Sequence, residues 1–298
     1  MITIFTVPKP FSGHISIIQR NAIQSWKLLH PMCEIILLGE DEGTAGVAKT
    51  FGLRHISEIA RNQFGTPLVS SIFKVAESAA SYEILCYVNA DIILMGDFMF
   101  AIQRFAKLRR KFLAVGQRHD LEIGHAIQFS ELDWEQKLRN LVVTKGKLHP
   151  PYGIDYFIFR KSTFNDIPAF ALGRTAWDNW LIYHARCLHI PVIDATGTIT
   201  AIHQNHGYGH VKGGFQQIWK GAESKENLSL AGNIAIPFST MDATHILTHK
   251  LLLPVITPKR LRRHLRTLDT FFPSAKPMLQ FLRHLKHAIS RLASSFQR

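Results

Sequence analysis

The run YVNADIIL, residues 87–94, sets one carboxylate, Asp91, two residues after an amide, Asn89, inside an otherwise apolar stretch. A buried carboxylate without a partner is costly, so the pattern points to a cation beside Asp91. Magnesium or manganese, held through one or two carboxylates together with substrate phosphates, suits an oxygen site of this kind. An Asp at a strand end is also a common turn former or helix cap, and that reading stands beside the first. The stretch AIHQNHGYGH, residues 201–210, supplies three imidazoles, His203, His206 and His210. Their spacing could pass for a zinc site, but the two glycines predict a loop after a strand, whereas zinc usually takes ligands fixed on regular elements or paired with Cys. In LGRTAWDNWL a helix beginning near Thr175 projects Asp178 from its first turn, between Trp177 and Trp180. A carboxylate flanked by aromatic rings suits a sugar cleft with a general base. The competing reading makes Asp178 a carboxylate stabilised by the helix dipole, with both Trp in the core.

The elements that must position these groups follow from hydrophobic period. ITIFTV reads as a strand, residues 14–29 as an amphipathic helix, CEIILLG as a strand and GTAGVAKTFG as a helix ending near Gly52. LRHIS is a short strand, residues 67–80 a helix, and EILCYVNADIIL a further strand. Strands and helices alternating over short connectors predict a parallel sheet covered on both faces, with ligands at the carboxyl ends of the strands. Asp91 falls at such an end. Later, KFLAVG is followed at once by Gln117, Arg118 and Asp120, and the Gly153-Ile154-Asp155 turn leads into the strand YFIF. That turn either brings Asp155 toward a substrate hydroxyl or is a tight turn before an edge strand.

Composition limits the class. An apolar fraction of 46% over 298 residues supports a sizeable core and excludes a disordered chain. Cys33, Cys86 and Cys187 lie far apart in apolar surroundings, so neither a disulfide framework nor a zinc ribbon is expected. The N-terminus lacks the basic start of a signal peptide, and no stretch reaches the length of a membrane span, which predicts a cytoplasmic protein. Of the net charge of +13, residues 256–298 carry +9, because ten Lys or Arg stand there against Asp269 alone.

Taken together, FTVPKPF, IIQRNAIQSW, GTPLVSSIF, YVNADIIL, WDNWL and HQNHGYGH resemble a family of bacterial GT-A-type glycosyltransferase-like proteins, sometimes labelled hemolytic-protein-like, over roughly residues 1–240. The resemblance implies an α/β fold, a GT-A-like Rossmann-type mixed sheet flanked by helices, with the catalytic domain at 1–245; beyond it, charge and apolar spacing predict a basic amphipathic helical tail at 246–298. It implies a nucleotide-sugar donor and Mn²⁺ or Mg²⁺, with Asn89-Ala90-Asp91 as a variant of the DxD motif whose first Asp is Asn89 here. Thr6, Val7, Pro8 and Glu40 or Asp41 would then clasp base and ribose, although GEDEG is also an ordinary solvated turn. Ser70 and Ser71, in the first turn of a helix, would face the phosphates, or the helix is simply capped. Arg118 would approach the diphosphate, and Asp155 the sugar or acceptor. Inverting members often keep their base where Asp178 stands, and often return a histidine to the metal, here His203 or His206. Trp219 and Glu223 are further donor contacts.

The tail has its own signal. Met278, Phe281, Leu282, Leu285, Ile289, Leu292 and Phe296 form a helical stripe with Arg283, Lys286 and Arg291 off it. A basic amphipathic helix points to an anionic membrane surface on the inner face of the membrane, which suits a lipid-linked or other glycan acceptor in surface polysaccharide synthesis. No nucleic-acid module precedes it, so no nucleic-acid partner is expected. Two functions follow: a glycosyltransferase, or a non-catalytic GT-A-shaped protein that binds membrane or partners. A nucleotidyltransferase is a third and weaker option, lacking the Gly-rich N-terminal loop.

Overall fold

In a computed structural model, residues 1–207, 219–232, 238–271 and 277–278 are described. His210 and the tail stripe beyond Met278 lie outside the described residues. The chain opens with β1 (Thr3–Thr6), α1 (Gly13–Leu29), β2 (Glu34–Leu38), α2 (Thr44–Phe51), β3 (Arg54–Ile56), α3 (Val69–Ala79) and β4 (Ile84–Val88), in the order that the alternating periods predict. Gly52, at φ 65°, closes α2 in the left-handed region and donates its backbone N–H to the last turn. There follow β5 (Ile92–Ile93), α4 (Gly96–Phe105), β6 (Leu113–Val115), β7 (His119–Leu121), α5 (Trp134–Lys145), β8 (Lys147–Leu148) and β9 (Tyr156–Arg160). Then come α6 (Trp177–Cys187), β10 (Val192–Asp194), β11 (Ile202–Gln204), α7 (Ala222–Leu230), β12 (His245–Leu247), β13 (Leu252–Pro254) and α8 (Pro258–Phe271).

Nine strands form one sheet in the order β13-β12-β10-β6-β9-β4-β1-β2-β3, and β5-β11-β7-β8 form a second. The large sheet is α/β and mixed, because β9 runs antiparallel to both β4 and β6. YFIF is therefore a central strand and not an edge strand: its residues Tyr156 to Phe159 are all buried. Strand order reverses at β1, which pairs parallel with β2 on one side and β4 on the other. The crevice at the carboxyl ends of β1 and β4 is the switch point at which open α/β sheets bind ligands.

Both faces of this region are covered. Ile2, Ile4, Cys86 and Ile158 pack with Ala22, Trp26 and Phe98 in one cluster. Phe5 stands edge-on to Phe73 of α3 at 5.3 Å, and Phe73 stacks on Phe159 at 5.4 Å, an arrangement that adds aromatic contact to area burial. The first compact unit runs from Met1 to Pro254, and the second begins at Val255. Residues 246–254, placed by sequence in the tail, carry most of β12 and all of β13 in the large sheet. No helix among the described residues is long and apolar enough to cross a membrane.

The stretch EILCYVNADIIL is not one strand. It breaks after Val88 because the Asn89 N–H donates to the Asp155 carbonyl at 2.9 Å and the Ile92 N–H turns back to the Asn89 carbonyl at 3.1 Å. The chain then joins the small sheet, where Ile92 pairs with His203 across an antiparallel register. Buried Gln204 fastens the junction, donating from Nε2 to the carbonyls of Asp91 and Ile18 and accepting from Asn21 Nδ2. Asp91 is thus held at the seam between the two sheets.

Candidate metal and catalytic site

The seam brings together groups from three parts of the chain. Asp91 Oδ2 lies 3.0 Å from His206 Nε2, 4.0 Å from His203 Nε2 and 3.8 Å from Lys9 Nζ. One ligand atom from each of Asp91, His203 and His206 falls within 4.8 Å of the others. His203 sits on β11 itself, contrary to the loop that its glycine-containing neighbourhood predicts, and strand pairing fixes its direction. The Asp91 carboxyl is held well below the usual range. Burial alone would raise it, and the His206 hydrogen bond with the charges of His203 and Lys9 outweighs that.

Hydrogen bonding sets the two rings. His206 Nδ1 is 3.0 Å from the Gly207 carbonyl and its Nε2 is 3.0 Å from Asp91 Oδ2, so both ring nitrogens face oxygen acceptors. His203 Nδ1 meets Asp120 Oδ1 and Asn205 Oδ1, both at 3.3 Å, and its Nε2 likewise turns to Asp91. Two imidazole nitrogens and a carboxylate oxygen thus converge on one point. In addition, Asp91 Oδ1 is buried with no hydrogen-bond partner among the described residues. The donor set therefore fits a divalent cation, and two imidazoles suit Mn²⁺ better than Mg²⁺, which prefers oxygen ligands.

A second group of charges backs the first. Asp120 accepts from Arg118 Nε at 2.9 Å and pairs with His149 Nδ1 at 2.6 Å, so the carboxylate that orients His203 is itself oriented. Gly153 permits this, because a Cβ there would run into the His149 ring. Arg118 also donates through Nη1 to Asp155 Oδ2, and Asp155 Oδ1 accepts from Asn89 Nδ2 at 2.6 Å. The Asn89 oxygen accepts from the Tyr87 hydroxyl at 3.1 Å. Asn89 is thus engaged with Asp155 and Tyr87, whereas the DxD analogy directs its side chain to the metal or ribose.

Asp178 opens α6, preceded by Ala176 in the left-handed region at φ 84°. A non-glycine residue held there is strained and marks a position that the surroundings over-determine. Its carboxyl is pushed up to about 7. Burial is the main cause, the neighbouring charge of Asp155 adds to it, and the backbone N–H groups of Asn179 and Asp178 and the charge of Arg118 act against it. A half-buried carboxyl poised near neutrality can take a proton at ordinary pH. The two Trp are core: Trp177 packs on Tyr87 and Phe157, each at 5.4 Å, and Trp180 stacks on His184 at 4.4 Å.

Asp91, Arg118, Asp155, His203 and His206 therefore come together, with Asn89 and Asp178 bound into the same charge network. Thr6, Val7 and Pro8 are buried and lead into half-buried Lys9; Ala90 is buried between Asn89 and Asp91. Asp41 is paired with Arg61 at 2.7 Å. Ser71 accepts the Ala60 N–H, while Ser70 makes no hydrogen bond among the described residues. Glu223 binds Asn62 and Arg174, both at 2.7 Å, tying two loops to α7. Sequence reasoning missed Lys9 and His149. A lysine between two prolines reads as a solvated turn, and the pairing of His149 with Asp120 spans 29 residues.

No protein-family model matches the chain, and no curated protein does. Among solved structures, it is similar to glucosyl-3-phosphoglycerate synthase from Mycobacterium tuberculosis in complex with Mn²⁺, UDP and phosphoglyceric acid, at 17% identity and a TM-score of 0.44, covering 78% of each chain. A provisionally named nucleotide-diphospho-sugar transferase from Desulfovibrio desulfuricans G20 is similar at 12% identity and a TM-score of 0.44, over 78% of this chain and 97% of that one. At such values the chemistry has to be argued from this chain's own residues.

Proposed function

We propose that the chain is a GT-A-type glycosyltransferase that uses a nucleotide-sugar donor and a divalent cation held by Asp91, His203 and His206. The observation that carries the reading is the convergence of those three groups, with Asp91 Oδ1 unpartnered among the described residues, at the crevice where strand order reverses. When bound, the cation would offset the charge that develops on the departing diphosphate. Asp178 takes the proton from the acceptor hydroxyl as that oxygen attacks the anomeric carbon, so one carboxylate serves and no covalent intermediate forms. Arg118 holds Asp120 and Asp155, and through Asp120 the ring of His203. Asn89 reaches the same assembly through Asp155 and anchors the turn that carries Asp91. Thr6, Val7 and Pro8, at the end of β1, border the crevice from the base and ribose side; Asp41 and Ser70 are the more remote donor contacts of this reading.

The acceptor is a glycan or lipid-linked sugar. Support comes from α8, which carries Lys259, Arg260, Arg262, Arg263 and Arg266 and exposes Leu261 and Leu265, a composition suited to an anionic membrane surface. A cytoplasmic protein peripheral to the inner face of the membrane follows. The test is an assay of nucleoside phosphate released from UDP-, GDP-, CMP- and dTDP-sugars in the presence of Mn²⁺. Consumption of one nucleotide family is expected; binding of a donor without any breakdown, in the presence of lipid-linked acceptors, would favour the non-catalytic GT-A-shaped protein.

A further inference from the structure

Lys9 is placed where a cation-binding site should least tolerate it. Its Nζ is 3.4 Å from His206 Nε2, the nitrogen that meets Asp91, and 3.8 Å from Asp91 Oδ2. The ammonium thus lies against the two atoms that a metal would take. Its backbone is fixed by a two-way clamp: the Lys9 N–H donates to Gln19 Oε1 at 2.7 Å and Gln19 Nε2 donates to the Lys9 carbonyl at 2.8 Å. Gln19 is itself buried on α1. Lys9 therefore cannot leave by a movement of the chain; only its flexible side chain can turn.

We propose that Lys9 makes cation binding conditional on a diphosphate. A divalent cation that bonds to His206 Nε2 and Asp91 Oδ2 displaces the ammonium from both partners and leaves two positive groups side by side. A diphosphate carries enough negative charge to accept the displaced Lys9 hydrogen bonds and to bridge to the cation, as lysines commonly do as point charges on phosphate. Cation and diphosphate then bind as a coupled pair, each weak alone. The inference rests on the reading of Asp91, His203 and His206 as a cation site, and adds to it the residue that keeps the site from holding a metal before the donor arrives. Coupling between ligands must be reciprocal, so either one can be used as the probe.

The experiment is a Mn²⁺ titration of the full chain followed by electron paramagnetic resonance, with and without pyrophosphate, corrected for the Mn²⁺–pyrophosphate complex formed in solution. For the wild type, pyrophosphate is expected to strengthen Mn²⁺ binding by about tenfold or more. Lys9→Met is expected to bind Mn²⁺ alone about tenfold more tightly than the wild type and to lose most of the coupling, while Lys9→Arg keeps it. Lys9→Gln serves as a second neutral variant. Equal Mn²⁺ affinity of the wild type with and without pyrophosphate would overturn the proposal, as would unchanged affinity and coupling in both neutral variants. Absence of Mn²⁺ binding in every variant and condition would overturn the cation site together with it, whereas binding that ignores Lys9 would overturn the role of Lys9 alone.

Discussion

Asp178→Asn is expected to lower turnover by about 10³-fold while leaving donor affinity within about twofold, because the amide keeps the shape of the carboxyl but cannot accept the proton. The wild-type pH profile carries the same signature. With the carboxyl pushed up to about 7, the base is protonated at acid pH, so activity rises with pH through a midpoint near 7. Stability changes in the opposite sense. Between 3.8, the ordinary value, and about 7 the folded chain holds a proton at Asp178 that the unfolded chain has lost, so this group makes the protein less stable as pH rises through that window. Asp178→Asn removes the cost, and a gain of about 2 kcal/mol at pH 8 is expected after allowance for the side chain's partial exposure. Kinetics and thermal unfolding of the one variant check both halves. An inactive but more stable protein is the expected pair; an inactive and less stable one would assign Asp178 to the framework.

Arg118→Met should have the largest effect on stability. The guanidinium is mostly buried and is shared between Asp120 and Asp155, whose side chain is 7% exposed. Removing it leaves Asp155 without its cation in a site already crowded with carboxylates, and breaking a buried pair in this way costs about 3–5 kcal/mol. For a chain of this size that corresponds to a fall in Tm of roughly 10 °C. The charge of Arg118 also holds Asp178 down, so any activity that survives should have its pH midpoint moved above 7. Differential scanning calorimetry and a pH–rate profile read the two effects. A Tm within about 2 °C of the wild type would mean that Asp155 has other means of support.

Much of the first hundred residues could be read from sequence, because alternating periods and the Gly52 cap are local properties. The break of YVNADIIL was not local. It depends on the Asp155 carbonyl, 66 residues away, and on pairing with β11, so one apolar run looked like one strand. The central place of β9 was hidden for a related reason: a strand buried on both faces shows no alternation, and nothing in YFIF states its direction. Asp91, Asp155, Arg118, Asp178 and the histidines stood out because charged groups beside apolar strands are costly and call for partners. What each partner would be was less visible. Asn89 turned to Asp155 and Tyr87, and Trp177 and Trp180 filled the core, since both choices depend on contacts between distant elements. Lys9 carried no signal at all until β1 and β4 were seen side by side.

The most direct test of the cation–diphosphate site is the thermal shift of the wild type and Asp91→Ala with UDP, GDP, CMP and dTDP-sugars, each with and without Mn²⁺. A ligand specific to the folded state, present at about 100 times its Kd, adds about 2.7 kcal/mol. The account predicts a shift with one nucleotide family, present only with Mn²⁺ and absent in Asp91→Ala. A shift that needs no metal, or one that survives the loss of Asp91, would contradict it.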